Sequence, residues 1–365
     1  MGLRRTTVVL AAAGIAAGSC VGVGQAEVAP VGVRYVNSVV IGDDVEFDGE
    51  KIGGLSGIDY DPESGSYVAI SDNRGESGPV RAYTLRLPVG ADGRLGAPEF
   101  ERVVALRNAE GELYPPRTAD PEAIRWTPDR RGFYYTSEGE AKVGQAGFVR
   151  QATLDGGYVR DLPLPEAFSP RLDASGQLVA GIRDNQGFEP MTLDGGALVT
   201  MSENTLVQDG PESGIVDEGR ARLVRIDAAT GADLGEYLYP VDRAALVAAP
   251  GSTGVSEILA LDEDRYLSLE RGMIPGLGFT ARLYETTTAG ADPVTGTAVA
   301  PTARTMPKRL LFDFRANGID PECAEGLTFG PTLPDGTRTL IIASDNNFGR
   351  AGRTAFHLFA LDGVR

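Results

Sequence analysis

The segment Pro121–Gly139 reads PEAIRWTPDRRGFYYTSEG. An apolar run ending at Trp126 is followed by a Pro/Asp/Gly turn and then by an aromatic run, Phe133–Thr136. Two such runs separated by turn residues read as a pair of short strands. Glutamates punctuate the pair: Glu122 opens the first strand and Glu138 closes the second. Carboxylates are depleted in strands, so acids at both boundaries ask whether the layout recurs.

It recurs four times. The matching segments are LSGIDYDPESGSYVAISDN (Leu55–Asn73), FEPMTLDGGALVTMSEN (Phe188–Asn204), VSEILALDEDRYLSLERG (Val255–Gly272) and AEGLTFGPTLPDGTRTLIIASDNN (Ala324–Asn347). Their leading positions, Ser56, Glu122, Glu189, Glu257 and Glu325, are spaced by 66, 67, 68 and 68 residues. Regular self-similarity at this period marks an array of structural repeats. Between the copies lie further alternating, β-branched runs such as VRAYTLRL and GFVRQATL, and no long amphipathic helix. Four strands per repeat arranged radially predict an all-β chain folded as a single β-propeller. The copies count five blades. A sixth, degenerate blade stays open in Ser169–Asn185 or Ala289–Thr305, the latter reading as a surface excursion. The last copy has only one further strand, AFHLFALDG, and VRYVNSVVIG (Val33–Gly42) is unclaimed. Pairing the two closes the ring and removes its open edges.

Residues 1–26 read as an export signal: Arg4 and Arg5, the apolar stretch VVLAAAGIAAG, then GQA before Glu27. The mature domain is 27–365, secreted or periplasmic. Alternatives are a lipid anchor through Cys20 and a twin-arginine route. No stretch is long enough for a membrane span. Loss of Arg4 and Arg5 moves the formal charge from −17 to −19. So acidic a surface argues against nucleic acid as a partner and suits cation binding. Cys323 is the one mature cysteine, so no intrachain disulfide forms.

In a propeller the inner strands converge on a common axis, so the leading acids converge, and with them the trailing Asp72, Glu138, Glu203, Glu270 and Asp345. Carboxylates approaching within about 4–6 Å raise one another's pKa unless positive charge intervenes. A hard divalent cation, Ca²⁺ above all, takes oxygen ligands of this kind. Arg74, Arg183 and Arg271 in the same loops are the other source of charge. The expected metal ligands are Asp72, Glu138, Glu203, Glu257, Glu270, Glu325 and Asp345. Glu122, Glu189, Arg74 and Arg271 are the expected catalytic residues. A single histidine, His357, sits mid-strand and leaves no Ser-His-Asp triad. No G-x-S-x-G elbow and no P-loop occurs. Cys323, beside Glu322 and Glu325, reads as a small apolar filler rather than a nucleophile.

In order, GGLSGIDYD, YVAISDNRG, DPEAIRW, NQGFEPMTL, SEN, SLERG, AEGLTF and ASDNNF resemble the motifs of the bacterial "esterase-like activity of phytase" family, the phytase-like domain, from Gly53 to Leu361. The resemblance implies a secreted β-propeller related to calcium-dependent phytases, in which clustered acids hold Ca²⁺ that binds phosphates and activates water. Asp120–Trp126 is similar to the D-D-P-A-[IL]-W motif of those phytases, with Ala119 in place of one acid and a glutamate inserted. Their lysine-rich phosphate site has no clear counterpart. The implied function is a Ca²⁺-dependent ester hydrolase acting on a small anionic phosphoester, as a monomer. Two alternatives stay open: a non-catalytic binding propeller with structural Ca²⁺, and a carboxylic-ester or lactone hydrolase.

Overall fold

A computed structural model of the chain describes Gly2 and residues 31–244, 253–274 and 276–363. The expected export segment, with Arg4, Arg5 and Cys20, lies outside the described residues, Gly2 apart. Five antiparallel four-stranded sheets make the blades of a β-propeller. Blade 1 is built from Leu55–Asp61, Ser66–Ser71, Arg81–Arg86 and Glu99–Ala105. Blade 2 is built from Pro121–Trp126, Gly132–Ser137, Phe148–Thr153 and Tyr158–Leu162. Blade 3 uses Met191–Asp194, Ala197–Thr205, Gly219–Asp227 and Asp233–Val241. Blade 4 uses Thr253–Ala260, Arg265–Ile274, Gly278–Thr287 and Lys308–Asp313. Blade 5 takes Cys323–Phe329, Arg338–Asp345 and Ala355–Asp362, and its outer strand is the N-terminal Gly32–Val40. That strand runs antiparallel to the last one, from Gly32 opposite Asp362 to Val40 opposite Ala355. The ring therefore closes by pairing the two ends of the chain, as the sequence predicts.

Alternation along each strand sends side chains to opposite faces, so each blade feeds the two cores on either side of it. Blade 5 shows the rule. Ile341 and Ala343 pack toward blade 1, with Ile58 and Tyr83, whereas Leu340 and Ile342 pack toward blade 4, with Leu267 and Leu283. Five such inter-blade cores fill the five gaps. Trp126 and Tyr135 belong to the core between blades 1 and 2, and Tyr134 to that between blades 2 and 3. His357 is a core residue with Nδ1 2.6 Å from the Ser38 hydroxyl, and burial pushes its pKa down to about 4.

Neither candidate for a sixth blade forms one. Ser169–Asn185 holds only a short hairpin, Arg171–Leu172 with Leu178–Ala180. The 289–305 loop packs more closely than a surface excursion. Ala291 and Val294 are buried, the Val294 N–H donates to Glu236 O, and Arg222 donates to Gly296 O.

The first strand of each blade lines the axis, and its channel-side N–H groups have no ladder partner. Side chains of the neighbouring blade accept from them, as buried backbone donors require. Asp59 accepts from Trp126 N–H at 2.9 Å, Thr328 from Tyr60 at 3.0 Å and Thr192 from Ala260 at 3.0 Å. At this depth Arg125 crosses the channel. Its guanidinium donates to the carbonyls of Ile58, Ile124, Ile258 and Leu327 and meets Glu257 at 2.9 Å. The channel is thus stoppered, and the mouth beyond it is a blind well.

Candidate functional site

Four of the five inner strands carry a register irregularity within their first residues: at Ser56, across Glu122–Ala123, at Ser256 and at Glu325. A bulge bends the strand and re-aims the side chain it carries. In blade 3 the corresponding residue, Glu189, precedes the strand. The ends of the second strands return antiparallel to the same mouth. Two tiers result: Ser56, Glu122, Glu189, Ser256 and Glu325, and beside them Asp72, Glu138, Glu203, Arg271 and Asp345.

Blade 4 corrects the sequence reading. Pairing Val255 with Glu270 and Glu257 with Leu269 makes Ser256 the bulged residue and Arg271 the trailing one. Glu257 and Glu270 are each displaced by one position, which in a strand means the opposite face. Glu257 lies deeper, accepts from the Met191 and Ile258 N–H groups, and neutralises Arg125. Glu270 is buried between blades 3 and 4, where it contacts Lys308 and accepts from the Tyr239 hydroxyl at 2.6 Å. Neither lines the well. Arg183 also stands apart, donating to the carbonyls of Thr205 and Gly210.

The well has a volume of about 570 Å³, and Asp72, Asp120, Glu122, Glu138, Glu189 and Glu325 face it. Glu203 and Asp345 are buried in its wall. Arg271 sits among three of these acids, 3.2 Å from Glu189, 3.5 Å from Glu203 and 3.3 Å from Glu325. Arg74 is committed to Asp120, its Nε donating at 2.7 Å. Even with Arg117 and Arg350 at the rim, four arginines do not balance eight carboxyls. Burial, then mutual repulsion, raises Asp72, Glu122, Glu138 and Glu189 well above the carboxylate range. Burial pushes Glu203 and Glu325 up to about 7 despite Arg271, and burial with Glu325 pushes Asp345 up to about 8. Cys323 lines the well, donates to Glu325 Oε1 at 3.2 Å, and is held protonated by burial and by that carboxylate.

Two groups have the geometry to hold a cation. Asp120, Glu122 and Glu138 bring one oxygen each within 4.8 Å of one another, and so do Glu138, Glu189 and Glu203. Glu138 is common to both. The fit is supported by atoms that nothing in the protein satisfies. Asp72 Oδ1 and Glu189 Oε2 are buried without a hydrogen-bond partner. A buried polar atom left so costs about 1–3 kcal/mol, and more when charged, a penalty that a bound cation or proton removes. The glycines beside the acids are required by close approach. A Cβ at Gly187 would lie 2.1 Å from Glu138 O, and one at Gly254 would lie 2.1 Å from Glu203 Oε1.

The family profile named Phytase-like, described as esterase-like activity of phytase, matches residues 50–348. The chain belongs to the phytase-like family. No curated protein matches it. Among solved structures it is similar to a protein of unknown function from Dyadobacter fermentans, at 13% identity over 91% of this chain and 100% of that one, with a TM-score of 0.39. It is also similar to an arabinanase from Bacillus subtilis (14% identity, 84% and 94% covered, TM-score 0.41). A third is an α-L-arabinofuranosidase from Podospora anserina (10% identity, 87% and 94% covered, TM-score 0.41).

Of the residues singled out by sequence, this phytase-like domain gathers Asp72, Arg74, Glu122, Glu138, Glu189, Glu203, Arg271, Glu325 and Asp345 at one mouth. Asp120 was missed as a ligand. Its signal was available, since it stands two residues before Glu122 at a strand start. A prediction separates the two sets. In calorimetric Ca²⁺ titration, Glu138→Gln is expected to weaken binding roughly tenfold or more, because both groups share it. Glu270→Gln is expected to leave affinity within about threefold, and equal losses in the two variants would refute the assignment. Among the described residues no helix is long and apolar enough to cross a membrane.

Proposed function

We propose that this phytase-like domain is an exported, Ca²⁺-dependent hydrolase of small anionic esters, phosphoesters first. One observation carries the reading: two carboxylate triads sharing Glu138 sit in a blind well beside buried carboxylate oxygens without a partner. Asp120, Glu138, Glu189 and Glu203 are the residues that would hold the cations, with Asp72, Glu325 and Asp345 supplying further charge and Glu122, at the edge of the first group, left for proton transfer. When bound, Ca²⁺ supplies Lewis acidity toward the ester and acidifies coordinated water. The protein does the rest. Arg271 fixes Glu189, Glu203 and Glu325 in place, and Arg74 fixes Asp120. Glu122 faces the well with no side-chain hydrogen bond or ion pair among the described residues. It is the carboxyl free to take a proton from the attacking water and return it to the leaving alcohol. The balance is that of hydrolysis: a P–O bond to water forms, the ester P–O bond breaks, and the alcohol leaves protonated. The plug at Arg125 keeps bulk water from entering at the other end.

Residues 1–26, read from the sequence as an export segment, support a site of action outside the cytoplasm. The test is a panel of phosphomonoester, carboxylic-ester and lactone substrates, with and without chelator. Phosphomonoester hydrolysis is expected to fall at least about a hundredfold with chelator and to return with Ca²⁺. Chelator-resistant turnover, or turnover of carboxylic esters alone, would overturn the proposal.

A further inference from the structure

The second and third strands of blade 4, Arg265–Ile274 and Gly278–Thr287, have ten residues each, against six each in blades 1 and 2. The added length carries an arm past Arg271 and over the mouth. On it Met273 stands opposite Phe279, and both face the well. Met273 is 44% exposed, an apolar side chain left in water at the rim of an acidic cavity.

Blade 5 contributes a third apolar group to the same rim. Phe348 lines the well in the left-handed backbone region, with φ 54°. For a bulky residue that conformation is a strained outlier. The surroundings enforce it. Asn346 Oδ1 accepts from the Phe348 N–H at 3.0 Å and from the Gly54 N–H at 3.3 Å. The ring lies against Gly53 and Gly54, where a Cβ would come within 3.2 or 2.7 Å of it, and the Arg81 guanidinium sits 5.7 Å from its centroid. Asn347 at φ 46°, Arg117 at 65° and Asn185 at 56° line the same well. Strain is thus concentrated at this mouth and spent on presenting a ring.

The cations facing the well are arginines, with no lysine among them. Arg74 and Arg271 are held by acids, and Arg117 pairs with Glu76 and Glu140. Arg350, two residues beyond Phe348, is exposed and makes no ion pair or guanidinium hydrogen bond among the described residues. One uncommitted cation beside an apolar rim does not suit a polyphosphorylated, polar substrate. We infer that the well selects esters bearing a single anionic group and an apolar, aryl or alkyl, moiety, with Arg350 contacting the anion and Phe348, Met273 and Phe279 covering the apolar part.

The inference rests on the hydrolase reading for the word ester, but its test is a binding measurement. Calorimetry in calcium-containing buffer compares phenylphosphonate, methylphosphonate and benzyl alcohol, none of which is hydrolysed. Phenylphosphonate is expected to bind about tenfold or more tighter than methylphosphonate, the gain of burying one ring face. Phe348→Asn, a residue that tolerates the left-handed region, is expected to remove most of that preference, and Phe348→Tyr to keep it. Met273→Gln, on the exposed arm where folding is not at stake, is expected to lower it about two- to threefold. Arg350→Gln is expected to weaken both phosphonates and leave benzyl alcohol unchanged. Equal affinity of the wild type for the two phosphonates, or a preference intact in both Phe348→Asn and Met273→Gln, overturns the inference. A protein that prefers phenylphosphonate but turns over no ester sinks the hydrolase proposal alone. Hydrolysis indifferent to the apolar group, with equal phosphonate affinities, sinks only this inference.

Discussion

Arg125→Met is expected to destabilise the propeller by about 3–5 kcal/mol, the usual cost of removing one partner from a buried ion pair. Arg125 is 2% exposed, and its two terminal nitrogens reach carbonyls in blades 1, 2, 4 and 5. Methionine retains the volume of the aliphatic stem but leaves three inter-blade carbonyls without a donor. It also strands Glu257, whose Oε2 has no partner other than the Arg125 ion pair. The loss is capped because Glu257 has a refuge. Burial already holds it at about 7 with the arginine present, so without the arginine it takes up a proton at neutral pH. Its Oε1 keeps the N–H groups of Met191 at 2.8 Å and Ile258 at 3.0 Å.

The expected fall in melting temperature, followed by circular dichroism, is roughly 4–7 °C. The pair Arg125→Met with Glu257→Gln is expected to recover part of it, because glutamine copies the protonated glutamate and has no charge to strand. A double-mutant cycle therefore isolates the coupling between the two residues. A fall below about 2 °C, or a double variant less stable than additivity gives, would show that the guanidinium does not tie the blades together.

The fold was legible because its signal is redundant. Five copies at a near-constant period, alternating strands and one unpaired strand at each end constrain the topology together, and an error in any one copy leaves the ring intact. The site lacked that redundancy at blade 4. The acids Glu257 and Glu270 stand beside Ser256 and Arg271, and the spacing of leading residues is almost as regular with Ser256 (66, 67, 67 and 69) as with Glu257. Only the pairing of Val255 with Glu270 settles which face each residue takes. The chemistry favours the same register. A ring of carboxyls with no internal cation is a worse solution than one with an arginine in a trailing position. Arg125 was invisible for a different reason. A single charged residue within EAIRW reads as one position of an alternating strand, and nothing local says that its neighbours across the axis are carbonyls.

The cation-free protein is expected to lose stability as pH rises from about 4.5 to about 8, and Ca²⁺ to restore it increasingly over the same interval. The sign follows from which state holds the protons. In the unfolded chain glutamates and aspartates ionise near 4. In the fold Glu203 and Glu325 are held to about 7 and Asp345 to about 8, and burial with mutual repulsion raises Asp72, Glu122, Glu138 and Glu189 well above the carboxylate range. Between the two ranges the folded state binds more protons than the unfolded one, so stability falls with pH. It is fully present below the unfolded values and lost once the folded groups are made to ionise. The total is on the order of several kcal/mol, because each tenfold gain in a carboxyl's proton affinity on folding is worth about 1.4 kcal/mol. A divalent cation displaces those protons and turns the repulsion into ligation, so its effect is small where protons compete well and large where they do not. Scanning calorimetry at pH 5 and pH 8, each with chelator and with Ca²⁺, tests this directly. With chelator the melting temperature is expected to be higher at pH 5 than at pH 8 by several degrees, and the increment from Ca²⁺ to be larger at pH 8. Glu138→Gln is expected to flatten the pH dependence and shrink the Ca²⁺ increment together, since it removes one charge from both triads. A chelated protein equally stable at both pH values would mean that the carboxyls of the well do not share their protons as the geometry requires. A Ca²⁺ increment independent of pH would place the ion outside the well.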